Sequence, residues 1–185
     1  SNSSSSTIIL TDSKFIDNYS TGYNGIITDI DNNNTFTIKD CTFSGNYTNS
    51  TSAIHLFYLT TSSAFEISGS TFTGNTLSSN ANILLLGGSG SRLIYNNTFS
   101  GNTFNGGTGI SLSSSTTGGI FNNTFYNSNG IYISSNMPVL NNLLVGNGAA
   151  IATSSTAIAD NNLKRNLIGD IFYFLSNREL GMSIS

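Results

Sequence analysis

The sequence predicts an all-β protein, a single-stranded right-handed parallel β-helix of about seven or eight coils that tapers toward its C-terminus. Three observations lead to this prediction. A short motif, F-x-x-N, recurs along the chain, and aliphatic and Asn residues recur at fixed distances from it. The repeats are 19 to 29 residues long, which is too short for a strand with a crossover helix but suits two or three strands joined by turns.

The repeat is anchored on the Phe of the motif. The successive anchors are Phe15, Phe43, Phe72, Phe99, Phe125, Leu144 and Leu163, of which the last three belong to degenerate copies. Their spacings are 28, 29, 27, 26, 19 and 19 residues, so the later coils are shorter and the column should taper. We expect equivalent anchors to pack on one another from coil to coil in the core.

Two aliphatic columns follow when the copies are aligned on this anchor. Five residues before it every copy has an aliphatic residue, which predicts an inward column of Leu10, Ile38, Ile67, Ile94, Ile120, Val139 and Ile158. A second inward column is expected eleven residues after the first four anchors and at the matching places in the shorter coils: Ile26, Ile54, Ile83, Ile110, Ile131 and Ile151.

Two polar columns lie just before the anchor. Asp, Asn and Gly, which tolerate positive φ best, occupy the first, and this predicts a turn at Asp12, Asp40, Gly69, Asn96, Asn122, Asn141 and Asp160. The next position should form an inward hydrogen-bonded ladder, because a side-chain amide both donates and accepts. Its residues are Ser13, Cys41, Ser70, Asn97, Asn123, Asn142 and Asn161.

The repeats are expected to fill residues 1–166, and residues 167–185 leave the pattern. We expect this last segment to be a final coil, a cap or an assembly segment of the same domain.

The repeats resemble those of the pectin-lyase-like β-helix superfamily. More specifically, they are similar to the F-x-x-N and G-G-A-I elements of chlamydial polymorphic outer-membrane proteins. The second element stands here as Asn24-Gly25-Ile26-Ile27, Ser52-Ala53-Ile54, Thr108-Gly109-Ile110 and Gly148-Ala149-Ala150-Ile151. The resemblance implies an extracellular, passenger-like stalk, and it implies no particular chemistry.

The composition excludes two classes of partner. Charged residues make up 8% of the chain, the net charge is −3, and the basic residues are scattered at Lys14, Lys39, Arg92, Lys164, Arg165 and Arg178. Nucleic-acid binding needs clustered basic residues, so it is not expected. No apolar run reaches 18 residues, which excludes a membrane-spanning helix.

Sequons are the main functional mark of the sequence. We predict N-glycans on sequons in tails, loops or the outward turn column, namely Asn2, Asn33, Asn49, Asn96 and Asn122. The sequons of Asn18 and Asn46 are disfavoured, because these residues belong to the F-x-x-N column, where burial in a ladder would block a glycan.

No catalytic residue, metal or cofactor is predicted. Asp29 and Asp31 resemble the start of a calcium loop, but the closing Glu is absent and a solvated loop is expected. His55, between Ile54 and Leu56, should point outward without a catalytic partner. Cys41 has no second cysteine to pair with, and a buried, inert thiol is expected.

The leading hypothesis is a non-enzymatic extracellular or cell-surface structural protein that carries N-glycans and stacks head to tail into an oligomer or filament. One alternative is a glycan-binding or glycan-cleaving β-helix, with sugar rings stacked on exposed aromatic residues such as Phe57, Tyr23 or Tyr132. The other alternative is an adhesin or stalk fragment of a longer surface protein.

Overall fold

A computed structural model describes residues 5–21, 25–29, 34–49, 55–59, 62–113, 117–146, 151–153, 159–165 and 172–175 of the chain. All regular elements in these residues are β-strands, numbered here in chain order, and they form four sheets. This part of the chain has no helix with the length and hydrophobicity that a bilayer crossing requires. The predicted all-β parallel β-helix is confirmed.

Each sheet collects equivalent strands from successive coils. The first sheet contains β1 (Thr7–Thr11), β5 (Thr35–Lys39), β9 (Ala64–Ser68), β13 (Arg92–Tyr95), β17 (Gly118–Phe121), β20 (Val139–Leu140) and β23 (Ala159–Asp160). The second contains β2 (Lys14–Ile16), β6 (Thr42–Ser44), β10 (Thr71–Thr73), β14 (Thr98–Ser100), β18 (Thr124–Tyr126), β21 (Leu143–Val145), β24 (Asn162–Arg165) and β25 (Phe172–Leu175).

The third sheet is shorter and contains β3 (Tyr19–Ser20), β7 (Tyr47–Thr48), β11 (Thr76–Leu77) and β15 (Thr103–Phe104). The fourth contains β4 (Gly25–Asp29), β8 (His55–Leu59), β12 (Leu84–Leu86), β16 (Ile110–Leu112), β19 (Ile131–Ile133) and β22 (Ile151–Thr153). The described strands of the third sheet come only from the first four coils, which agrees with the shorter anchor spacings of the later coils.

The anchor phenylalanines form a continuous stack in the core. Ring centroids of successive anchors lie 4.6–4.8 Å apart with nearly parallel planes, through Phe15, Phe43, Phe72, Phe99 and Phe125. This spacing equals the distance between neighbouring strands, so the sheet register imposes the stack. Phe57 of β8 packs edge-on against Phe43 and Phe72 and closes the stack from the side.

The second aliphatic column differs from the prediction in the early coils. The register of the fourth sheet aligns Ile27, Phe57, Leu84, Ile110, Ile131 and Ile151. The predicted Ile26 and Ile83 each precede this column by one residue, although Ile83 is itself 0% exposed in the core, and Ile54 lies outside the described residues. A fixed count from the anchor fails here because pairing with the neighbouring coil decides which residue of the strand is in register with the column.

The seventh copy is displaced by one residue from its predicted alignment. Ala159, and not Ile158, pairs with Val139, and Lys164, and not Leu163, pairs with the anchor Leu144. The doublet Asn161-Asn162 sets this register, as the doublets Asn96-Asn97, Asn122-Asn123 and Asn141-Asn142 do in the preceding copies. The first Asn of the doublet adopts the left-handed conformation and the second enters the ladder. The conformation of the doublet therefore decides the register of this copy, and the hydrophobicity of Leu163 does not.

Left-handed residues form two turn columns. The predicted column has φ of 47–59° at Asp12, Asp40, Gly69, Asn96, Asn122 and Asn141, and continues at Asn161 instead of Asp160. A second column, which was not predicted from the sequence, occupies the third position of the motif: Asp17, Gly45, Gly74, Gly101, Asn127 and Gly146. At Gly45 a Cβ would lie 2.1 Å from Oδ1 of Asp17, so the carboxylate of one coil occupies the space above the glycine of the next.

Past residue 166 the described strand β25 pairs antiparallel with β24, unlike the parallel strands before it. Whether residues 167–185 serve as a last coil, a cap or an assembly segment stays a prediction.

Candidate functional site

Two ladders of buried amides run through the column. In the ladder of the F-x-x-N motif, each Nδ2 donates to Oδ1 of the equivalent Asn in the next coil at 2.8 Å. These bonds run from Asn18 to Asn46, from Asn46 to Asn75 and from Asn75 to Asn102. Nδ2 of Asn46, Asn75 and Asn102 also donates to the carbonyl oxygen of an anchor Phe of the preceding coil. The ladder continues at Ser128, whose Oγ accepts from Asn102. The amides thus satisfy both each other and the backbone of the turn.

The second ladder confirms the predicted Asn97, Asn123 and Asn142, each of which is 1% exposed. Each donates from Nδ2 to the next Oδ1 at 2.9–3.0 Å. The prediction that Asn161 belongs to this ladder is wrong. This residue is exposed at the left-handed corner, and Asn162 takes the place in the ladder because it accepts from Asn142. Cys41 is buried in this ladder as predicted, with its Sγ directed at the carbonyl oxygens of Leu10 and Lys39.

His55 lies inside the column, so the expectation that it points outward is wrong. Its side chain is 5% exposed and its ring stacks on Tyr58. The backbone N–H of Asn82 donates to His55 Nδ1 at 2.9 Å, and Oδ1 of Asn82 accepts from Thr108 one coil later. His55 therefore starts a third ladder, and strict alternation fails because His55, Leu56 and Phe57 are all buried where the chain enters β8.

Stability should fall in acid because of His55. Burial lowers its pKa from 6.5 to about 4, and a protonated Nδ1 would face the N–H of Asn82. The unfolded state binds the proton more readily, so the stabilisation is complete above pH 6.5 and is lost as the pH falls toward 4. From this group we expect a loss of about 2 kcal/mol in the free energy of unfolding between pH 7 and pH 4.5. Urea unfolding at pH 7 and pH 4.5 measures it.

The matched variant is His55→Asn, which continues the ladder without a titrating group. It should lose markedly less stability between the two pH values than the native chain. Equal losses in the two proteins would show that His55 does not cause the pH dependence.

The predicted glycosylation sites differ in accessibility. Asn49, Asn96 and Asn122 are exposed, and the last two occupy successive left-handed corners with φ of 56° and 53°. Asn46 is 0% exposed, and Asn18 is exposed although its Nδ2 is bonded to Asn46. Asn2 and Asn33 lie outside the described residues. Accessibility supports the choice of sequons, while their occupancy stays a prediction.

Beside these corners, the outer face of the first sheet carries a cluster of partly exposed side chains. Leu93 and Tyr95 of β13 pair with Gly119 and Phe121 of β17. A Cβ at Gly119 would lie 2.1 Å from Cζ of Phe121, so the Phe121 ring lies across the glycine. Tyr95 Oη donates to Oε1 of Glu66 at 2.7 Å. Tyr95 immediately precedes Asn96, and Phe121 immediately precedes Asn122.

A shallow groove of about 130 Å³ adjoins this cluster, and its lining includes Thr35, Thr37, Ala64, Glu66, Ser91 and Leu93. The groove combines one carboxylate, several hydroxyls and an apolar side chain, which together suit a hydroxylated ligand. No role was predicted for Glu66 and Tyr95 from the sequence. Glu66 and Leu93 lie in one outward column of the sheet. The sequence could have indicated this neighbourhood only after the register of the strands was known.

The aromatic residues proposed for sugar stacking are only partly in suitable places. Tyr132 is 38% exposed, as expected. Phe57 is fully buried, so its predicted role is wrong, since it lies in the inward column of the fourth sheet. Tyr23 lies outside the described residues.

Neither a calcium site nor another metal site is found in the described residues. Asp31 lies outside them, and of Asp29 only the backbone is described. No group of three or more possible metal ligands converges in the described part of the chain.

Arg92, one of the six basic residues scattered along the sequence, is buried. It is 0% exposed and lies in the inward column between Phe65 and Gly118. Its guanidinium donates to the backbone carbonyl oxygens of Ser63, Ser91 and Gly87. The alternation of Arg92-Leu93-Ile94-Tyr95 placed Arg92 on the inward face with Ile94, which was the signal available in the sequence.

Comparison with known proteins supports the fold. No curated protein and no solved structure matches the chain. The family described as the right handed beta helix region matches residues 52–182, which is more than half of the chain. The narrower resemblance to polymorphic outer-membrane repeats stays a prediction. A family match over most of the coils, together with parallel sheets built from one strand per coil, shows that the chain belongs to the right-handed β-helix family.

Proposed function

We propose that the protein is a non-enzymatic extracellular structural protein, a glycosylated β-helical column that associates with copies of itself head to tail. The observation that carries the proposal is the continuity of the interior. The Phe stack and the two Asn ladders link successive coils without interruption, from Phe15 to Phe125 and from Asn18 to Ser128, and from Asn97 to Asn162 in the second ladder. Such a column provides length and stiffness, which are the properties a filament subunit needs.

The ends of the column support association. β1, β2, β3 and β4 each lie at the edge of a sheet, and an unpaired edge accepts a further strand. In the second sheet the other edge is β25, so a head-to-tail contact would place β2 of one copy beside β25 of the next. Ile9 is 64% exposed and Ile16 50% exposed on the first two of these edge strands.

Electron microscopy of the full chain secreted from a glycosylating host tests the association. We expect filaments or end-to-end oligomers for the native chain. Ile9→Lys should abolish them without lowering the melting temperature, because an edge lysine blocks strand addition. Tyr126→Lys is the control, since Tyr126 is 46% exposed on an inner strand of the second sheet. Monodisperse monomers of the native chain would contradict the association.

Mass spectrometry of the same material tests the glycosylation. We expect glycans on Asn2, Asn33, Asn49, Asn96 and Asn122, and an unmodified Asn46, whose side chain is 0% exposed. Unmodified Asn at all five predicted sites would refute this part of the proposal.

A glycan-binding role is the second candidate, because the groove beside Glu66 offers a carboxylate and hydroxyls at the surface. Glycoside hydrolysis commonly uses a pair of carboxylates, and the described lining of the groove includes one, which favours binding over cleavage. Binding of the native chain to a glycan array, lost in Glu66→Ala, would support this candidate.

A further inference from the structure

We infer that Tyr95 and Phe121 are docking residues for the protein's own glycans, each holding the first sugar of the glycan on the asparagine that follows it. The inference rests on the glycosylation in the proposed function and does not depend on filament formation.

The sequence pattern at the corner gives the first argument. The residue before each left-handed corner is Thr11, Lys39, Ser68, Tyr95, Phe121, Leu140 or, in the seventh copy, Asp160. Among these corners only Asn96 and Asn122 belong to sequons, and only they follow an aromatic residue. The two features coincide at both corners and occur together at none of the other five.

The geometry gives the second argument. Tyr95 and Phe121 are paired in register on the outer face and are partly exposed, so neither ring is used in the core. The Phe121 ring lies across Gly119 and therefore presents its other face away from the sheet. Asn122 is exposed and directly follows Phe121 in the chain, so a sugar on its Nδ2 would be attached next to the residue that carries this ring.

The chemistry of an N-linked glycan fits this surface. The first N-acetylhexosamine has an apolar face of C–H groups, which packs against an aromatic ring, and hydroxyls that need hydrogen-bond partners. At Asn96 the neighbouring Tyr95 is fixed by its hydrogen bond to Glu66, whose carboxylate is a further acceptor. Docking the glycan there would cover apolar surface that is otherwise exposed to water.

A double-mutant cycle on the full chain, secreted from a host that adds N-glycans, tests the inference. Thr124→Val removes the sequon of Asn122 and keeps a β-branched residue in β18. We expect it to lower the melting temperature by about 2–4 °C in the native background. In the Phe121→Ala background the same substitution should have little effect, because the ring that holds the sugar is absent.

Enzymatic trimming separates the first sugar from the rest of the glycan. Cutting the glycan back to its first N-acetylglucosamine should leave the melting temperature unchanged, whereas Thr124→Val should lower it. Asn49→Gln is the matched control, since Asn49 follows Thr48, which is buried and not aromatic. Removal of that glycan should not change the melting temperature.

The outcomes distinguish the inference from the proposed function. An occupied Asn122 with equal effects of Thr124→Val in both backgrounds would overturn the docking and leave the glycosylation intact. An unoccupied Asn122 in the mass spectrum would overturn the docking at that corner, and unoccupied Asn at all five predicted sites would overturn the glycosylation as well.

Discussion

Replacing Phe72 with Ala is expected to lower the free energy of unfolding by about 3–5 kcal/mol. Phe72 is fully buried, and its ring stacks on Phe43 and Phe99 at 4.8 Å on either side. The neighbouring rings are fixed by the sheet register and cannot move together to fill the space, so a cavity should remain. Chemical denaturation followed by far-ultraviolet circular dichroism measures the loss.

The position within the stack provides the control. Phe15 has one stacked neighbour in the described residues, Phe43, and is only half-buried. Phe15→Ala should therefore cost clearly less than Phe72→Ala. If the two variants lose the same stability, the stack does not act as a set of rings fixed from both sides.

Replacing Asn75 with Ala is expected to cost about 3–5 kcal/mol, because several buried groups lose their partners at once. Oδ1 of Asn75 accepts from the backbone N–H and the Nδ2 of Asn46, while its Nδ2 donates to the carbonyl of Phe43 and to Oδ1 of Asn102. Alanine removes all four hydrogen bonds in a place that is 0% exposed. The midpoint of urea unfolding reports the effect.

Thr76→Ala is the matched control for this variant. Thr76 follows Asn75 in the chain, but its side chain is partly exposed on the outer side of the column. Its loss should change stability by about 0.5 kcal/mol or less. A similar destabilisation by both substitutions would mean that the ladder hydrogen bonds contribute little beyond the local strand.

The sequence predicts the parts of the fold that depend on repetition. The Phe anchors, the aliphatic column before them and the turn residues recur in several aligned copies, and the structure confirms them through the sixth copy. The errors lie where the repeats diverge. In the seventh copy the alignment on Leu163 was wrong by one residue, because the conformation of the Asn161-Asn162 doublet sets the register there.

The outer surface was less predictable than the interior. The neighbours of Glu66 on the sheet, Thr37 and Leu93, are 29 and 27 residues away in the chain, so their contact depends on the register of three coils. The prediction that His55 points outward was wrong for a related reason. Its inward position follows from a hydrogen bond to Asn82 in the next coil, and no local pattern in the sequence reveals that contact.

The asparagine ladders also make the column electrically polar. In every amide-to-amide bond from Asn18 to Asn102 and from Asn97 to Asn162, Nδ2 donates toward the C-terminal end and Oδ1 faces the N-terminal end. The amide dipoles of these two ladders therefore add, whereas in the ladder of His55, Asn82 and Thr108 the backbone N–H groups donate toward the N-terminal end. One end carries excess partial negative charge and the other excess partial positive charge. Two columns joined head to tail bring opposite partial charges together, and two columns joined head to head do not.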